Sequence, residues 1–196
     1  MGKTGLSISR SLSKSKANII YWDDDPKVRK QITQTKFKKF FNTSKVWNTI
    51  DYVVPSPGIG IIGKSQHKLI NIAKKNNKRI ISELDLFQVA ISKNDKINKN
   101  NIKIIAVTGT NGKSTIVTLI NHLLKSNGIK TSLIGNIGNS IFSSKLIRNG
   151  FLIIEVSSYQ LETSKIFAPN IAVISNLSSD HLSRHKNMRN YFNQKS

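Results

Sequence analysis

"AVTGTNGKST", residues 106–115, decides how the chain folds. The familiar phosphate-loop spelling sets a first Gly four residues clear of a Gly-Lys pair. Here that place belongs to Val107, and the nearer glycine is Gly109. The flanking sequence supplies what the spelling lacks. "IKIIAVTG" (102–109) is a near-continuous apolar run, the pattern of a buried parallel strand. "KSTIVTLINHLLKSNG" (113–128) puts Ile116, Leu119, Ile120, Leu123 and Leu124 on one helical face, and Gly128 is its expected stop. Glycines in the intervening "GTNG" let the backbone curl so that several N–H groups point at one anion. The helix N-terminus adds partial positive charge. Lys113 is spaced to reach β- and γ-phosphates, and the Ser114 hydroxyl to ligate Mg²⁺. The expected ATP-binding set is therefore Gly109, Thr110, Asn111, Gly112, Lys113, Ser114 and Thr115.

Outward from the loop, strand-like and helix-like runs alternate. "NIIYW" (18–22), "DYVVPSPGIG" (51–60) and "RIIS" (79–82) read as strands. "KSQHKLINIAKKNN" has helical spacing at Leu69, Ile70 and Ala73, and "ELDLFQVAIS" (83–92) is a second helix candidate. "KTSLIG", "FLIIEVSS" and "IAVISNLS" add strands after the loop. Such alternation implies parallel sheets with right-handed crossovers, an α/β fold in two doubly wound units. "SKNDKINKNN" is polar and without period, so the reading is a first domain over 1–92, a linker at 93–101 and a second domain over 102–196. Glu155 follows the apolar run "FLII", at the strand end where α/β sheets place ligands.

Composition narrows the classes. With no Cys, disulfides, thiolate metal sites and Cys nucleophiles are excluded. No 18-residue apolar run and no signal-peptide pattern appear, so a membrane span is not expected and a cytoplasmic location is the default. The net charge of +21 comes with abundant Asn and Ile, the usage of an AT-rich genome. The charge is dispersed and lacks interleaved aromatics, so it does not imply a nucleic-acid partner.

The combination of motifs resembles one family. "GTNGKST", "GNIG" (135–138), "EVSSYQLE" (155–162), "NLSSDHLSRH" (176–185) and "YFNQK" (191–195) follow the order and spacing of the Mur ligases. "EVSSYQLE" resembles the D-glutamate-adding branch in particular. "GKTGLS" (2–7), Asp23, "SPGI" (56–59) and "ELDLF" (83–87) resemble that branch's uridine-nucleotide domain. The resemblance implies a Rossmann-like UDP-binding domain followed by a truncated P-loop-type ATPase domain. It implies a ligase of peptidoglycan precursor synthesis that uses ATP and Mg²⁺ to join D-glutamate to UDP-N-acetylmuramoyl-L-alanine through an acyl phosphate. It assigns catalysis to Lys113, His181 and Lys195, and metal binding to Ser114, Glu155, His181 and Lys195, the last as a carbamate. It assigns the muramoyl side to Asn136, Ser157, Ser158 and Gln160, and the uridine diphosphate to Thr4, Asp23 and Gly58. On residues alone, His181 reads as a loop His beside an Asp180 that caps the next helix, and Lys195 as one more surface lysine.

The match has departures. The family's usual Asp after "DHL" is Ser183 here. The pattern opens on "MGKTG" without the strand that precedes it in the family, and ends within the ATPase domain, ahead of the domain expected to carry the amino-acid site. A nucleotide-binding piece without ligase activity, another ligase of the same superfamily, and a basic nucleic-acid binder stand as alternatives. Steep salt dependence of DNA affinity would mark the last.

Overall fold

The computed structural model describes residues 2–32, 37–61, 66–92, 101–135, 140–142, 147 and 149–195. The chain divides into two compact units, Met1–Glu83 and Leu84–Ser196.

In the first unit, helix α1 (Lys3–Leu12) starts directly after Gly2. Strand β1 (Ile19–Tyr21) leads to α2 (Pro26–Gln31), with Asp25 as N-cap accepting from the Lys27 N–H and Pro26 pre-set for the first turn. β2 (Phe37–Lys39), α3 (Ser44–Asn48), β3 (Tyr52–Val53), α4 (Lys68–Lys75) and β4 (Arg79–Ile80) follow. β1 pairs in parallel with β2, and β3 with β4. The core gathers Phe40, Trp47 and Ala73, with Ile20, Val53, Leu69 and Ile80 packed on it. The Phe40 and Trp47 rings meet edge-on at 5.1 Å. Strand β2 carries "FKK", which has no apolar alternation, and so went unread in the sequence.

The second unit is a parallel sheet of order β6-β7-β5-β8, from β5 (Ile102–Thr108), β6 (Thr131–Gly135), β7 (Gly150–Glu155) and β8 (Ile171–Ile174). The central strands β5 and β7 are buried through most of their length, as their apolar runs require. Helix α5 (Glu83–Ser92) covers one face: Leu84 and Phe87 join Ile104, Ala106, Leu152 and Ile154 in the core. This helix was read as the close of the first domain, yet its apolar stripe belongs to the second unit's core. Asp85, fully buried, fixes it there. Its carboxylate accepts the Ser164 hydroxyl and the N–H groups of Lys165, Ile166 and Phe167 at 2.9–3.1 Å.

Helix α6 (Lys113–Ser126) covers the other face. Val117, Ile116, Ile120 and Leu124 pack on Ile105, Val107 and Ile153. The expected helical face is corrected in part: Leu119 and Leu123 are 53% and 52% exposed. The buried stripe runs along 116, 117, 120 and 124, and 119 and 123 turn off it. Three short helices complete the unit: α7 (Ser158–Leu161), α8 (Leu182–His185) and α9 (Met188–Asn193). Among the described residues no helix is long and apolar enough to cross a membrane.

Candidate active site at the phosphate loop

Strand β5 delivers its C-terminal end to Gly109, whose φ is +144°, and Gly112 at φ +77° turns the chain into α6. A side chain at Gly109 would place its Cβ 1.9 Å from the Ser175 Oγ, so only glycine fits. Gly112 offers no side-chain cap, which leaves the first-turn N–H groups of α6 uncapped from within the helix. Lys113 folds over the loop and donates to the Gly109 carbonyl at 2.8 Å and the Thr110 carbonyl at 2.7 Å. One residue on, the Ser114 hydroxyl donates to Glu155 Oε2 at 2.8 Å. Glu155 stands opposite Val107 in the β5–β7 register and is buried. The start of α6 and the end of β7 thus bring a hydroxyl and a carboxylate together, one residue along the chain from the loop lysine.

The segment after β8 closes over the loop. Thr110 Oγ1 donates to the Ser178 carbonyl at 3.1 Å and accepts the Ser178 N–H at 3.0 Å. Thr110 has one hydroxyl proton, so the Tyr191 hydroxyl 3.0 Å away is the donor in their bond. Tyr191 lies on α9, and one helical turn later Lys195 returns to the same loop. Its Nζ donates to the Gly109 carbonyl at 2.7 Å and contacts Thr108 Oγ1 at 3.3 Å. It also lies 4.8 Å from the Tyr191 ring centroid. Lys195 is 8% exposed. Burial, then the positive charge of Lys113, lower its pKa to about 8, against a smaller opposing pull from Asp180. The surface lysine of the sequence reading is therefore a buried one, because α9 turns its end inward.

His181 sits at the N-cap of α8 with a left-handed φ of +53°. Asp180 accepts its N–H at 2.8 Å and faces its Nε2 at 3.3 Å, so the aspartate holds the histidine itself. From His181 a row of rings leads to Lys195. The His181 ring lies 4.9 Å from Tyr159, Tyr159 stacks on His185 at 5.9 Å, and His185 lies 5.3 Å from Tyr191. His185 is buried, with Nε2 3.1 Å from the Ser158 hydroxyl. Burial lowers its pKa below the ordinary imidazole value. Arg184 pairs with Glu162 at 2.7 Å.

Ser157 and Gln160 form a capping box that starts α7, with Ser158 turned to His185. Asn136 lies outside the described residues. The uridine-side candidates fall within the first unit: Thr4 in the first turn of α1, Asp23 just after β1, and Gly58 in the exposed turn beyond β3. Asp23 Oδ1 accepts the Asp25 N–H at 2.9 Å, and its carbonyl accepts from Arg29. Arg29 also lies 4.4 Å over the Trp22 ring. Asp24, unremarked in the sequence, is bonded to Trp22 Nε1 at 2.9 Å and His67 Nε2 at 2.6 Å. These bonds, His67 foremost, lower its pKa. Ser175, Asn176, Ser178 and His185 were also passed over, although all lie in or beside the stretch singled out for His181.

Residues 107–196 match the Mur ligase middle domain. A solved structure, that of MurF ligase from Thermotoga maritima in complex with ADP, is similar at 20% identity and a TM-score of 0.46, over 76% of this chain and 42% of that one. The chain is 39% identical to the UDP-N-acetylmuramoylalanine--D-glutamate ligase of Rickettsia bellii, over 100% of this chain and 41% of that protein. It is 40% identical to the Rickettsia conorii protein of the same name, over 100% and 37% of the two. It is 38% identical to that of Wolbachia pipientis wMel, over 97% and 36%. The chain spans about two fifths of the length of these curated relatives. By its middle-domain match at residues 107–196 and by relatives aligned along its whole length, the chain is similar to members of the Mur ligase family.

Proposed function

We propose that this chain supplies the uridine-nucleotide and ATP-binding portions of a cytoplasmic ligase that adds D-glutamate to UDP-N-acetylmuramoyl-L-alanine in peptidoglycan precursor synthesis. The observation that carries the proposal is the Ser114–Glu155 pair, 2.8 Å apart, beside Lys113 at a strand–loop–helix junction. The relatives' names support D-glutamate as the amino acid. In this reaction the substrate carboxylate takes the γ-phosphoryl group of ATP, giving an acyl phosphate and ADP. The D-glutamate amine then displaces phosphate and forms the amide.

The chain's own groups suit the first step. Both reactants are anions, so positive charge must lie along the path of transfer. The uncapped first turn of α6 presents N–H groups to phosphate oxygens, and Lys113 carries its charge to the transferring group. Mg²⁺ takes hard oxygen ligands and keeps several waters. The Ser114 hydroxyl and Glu155 carboxylate fit it as two protein ligands beside a phosphate cradle. The ion would neutralise charge on the β- and γ-phosphates.

Among the described residues no group of three or more His, Asp or Glu side chains forms a metal cluster. The resemblance to the Mur ligases also implies a second Mg²⁺, and on it we assign that ion to His181 with Lys195 as a carbamate. A neutral amine adds to CO₂ and releases a proton, and a lysine with its pKa lowered to about 8 offers that form near neutrality. The uridine side falls to Thr4, Asp23 and Gly58, within residues 1–92. The muramoyl side falls to Asn136, Ser157, Ser158 and Gln160, after the 93–101 segment. Titration calorimetry tests this reading. Mg-ATP binding should vanish in Lys113→Ala, and UDP-N-acetylmuramoyl-L-alanine binding should weaken in Asp23→Ala with ATP binding retained. A chain that binds neither ligand overturns the proposal.

A further inference from the structure

The polar groups of the loop itself are unevenly engaged. Asn176, two residues beyond β8, holds both backbone groups of Asn111. Its Oδ1 accepts the Asn111 N–H at 2.9 Å, and its Nδ2 donates to the Asn111 carbonyl at 3.0 Å. This fixes the orientation of the carboxamide, since a flipped amide would oppose donor to donor and acceptor to acceptor. The Asn176 backbone carbonyl takes the preceding N–H, that of Thr110, at 3.0 Å. Ser175 Oγ donates to the same Asn111 carbonyl at 2.7 Å. Asn111 is itself exposed, so this clasp, and not burial, holds it.

We infer that Asn176 is a positioning residue of the phosphate loop: its clasp on Asn111 confines the anion-binding N–H groups to Gly112–Thr115. The inference rests on the ATP-site reading above. In a glycine-rich loop every N–H is a potential anion donor. Here two consecutive ones, at Thr110 and Asn111, are directed to the strap beyond β8. The next residue, Gly112, reverses the chain at φ +77°. The donors left to converge on an anion are those of Gly112 and the first turn of α6. Holding the peptide ahead of that turn fixes their direction before an anion arrives, which is how ordering raises affinity without adding a contact.

The test uses the ¹⁵N-labelled full chain, with amide hydrogen exchange and Mg-ATP titration read residue by residue. The Asn111 amide should be protected although its residue is exposed. Asn176→Ala should speed its exchange at least about tenfold, one net hydrogen bond's worth, and leave β5 and β7 amides unchanged. Asn176→Asp keeps the acceptor and should restore protection at Asn111. Titration should shift Gly112–Thr115 amides and spare Thr110 and Asn111. ATP affinity should fall about tenfold in Asn176→Ala, while Lys113→Ala abolishes binding. An Asn111 amide unmoved by Asn176→Ala, with ATP binding intact, overturns this inference alone. Exchange that rises throughout the sheet makes Asn176 merely structural and overturns it too. A wild-type chain with the protected amide but no ATP binding sinks the ATP reading, and the positioning role with it.

Discussion

Substituting Ala for Gly109 tests how tightly the loop is built. The added Cβ would lie 1.9 Å from Ser175 Oγ, 3.1 Å from Ser175 Cβ and 3.2 Å from the Asn176 nitrogen. No rotation of the new methyl relieves this, because a Cβ position is set by the backbone. Ser175 must move, and its hydroxyl then leaves the Asn111 carbonyl it holds at 2.7 Å. That lost bond costs about 0.5–1.5 kcal/mol. Holding a non-glycine residue at φ +144° costs roughly a further 1–3 kcal/mol. The sum is about 2–4 kcal/mol, which for a chain of this size lowers Tm by roughly 5–15 °C. Urea unfolding followed by circular dichroism measures it. A double-mutant cycle separates the parts: in a Ser175→Gly background the contacts at 1.9 and 3.1 Å are gone, and only the backbone part remains. A coupling energy near zero, or a Gly109→Ala chain within about 0.5 kcal/mol of wild type, would refute this account of the loop.

Other perturbations have equally definite outcomes. Asp85→Ala removes the acceptor of three part-buried N–H groups and should cost about 1–3 kcal/mol in urea unfolding, while Asp85→Asn, which keeps one acceptor oxygen, should cost less. Acylation of Lys195, followed by mass spectrometry against pH, should rise with a midpoint near 8, and Lys113→Ala should move the midpoint upward by removing a repelling charge. The same depressed pKa makes the folded chain bind its proton less readily than the unfolded chain. The resulting penalty is fully present below pH 8 and is relieved as pH rises toward 10.5, so Lys195→Met should flatten that rise in stability. Tyr191→Phe removes the donor to Thr110 Oγ1 and keeps the ring under Lys195. It should cost about 1 kcal/mol in stability with the Lys195 midpoint little changed.

The second unit was legible in the sequence wherever local pattern and tertiary demand agree. The apolar runs of β5 and β7 are buried on both faces, and the glycines of the loop mark where the backbone must turn. Patterns failed where partners come from far along the chain. Leu119 and Leu123 fit a helical face by spacing, but the sheet beneath α6 meets the neighbouring stripe. The "ELDLF" helix looked like the end of one domain, because nothing local shows that Asp85 reaches residues 164–167. Asn176 was hidden for the same reason, since its clasp on Asn111 spans 65 positions.

Lys195 carries the same lesson furthest, because its environment reverses its sequence reading. One ammonium among 31 basic side chains is anonymous until the fold assigns its neighbours. α9 brings it to the Gly109 carbonyl, which already receives Lys113, so two cations share one acceptor. Burial, and then the positive charge of Lys113, disfavour the Lys195 ammonium in that arrangement, as its lowered pKa records. Two changes relieve it: loss of charge at Lys195, or the approach of an anion to the loop. On the proposed function, carbamate formation would be the first and phosphate binding the second. Each would then favour the other, because an anionic carbamate would no longer repel Lys113. In the proposed reaction a polyphosphate, a carboxylate and metal ions would meet at this loop, and a lysine that can change the sign of its charge would suit such a site. Surface lysines, solvated and near their ordinary pKa, do not offer that change, which is why the position of Lys195 against the loop matters more than its residue type.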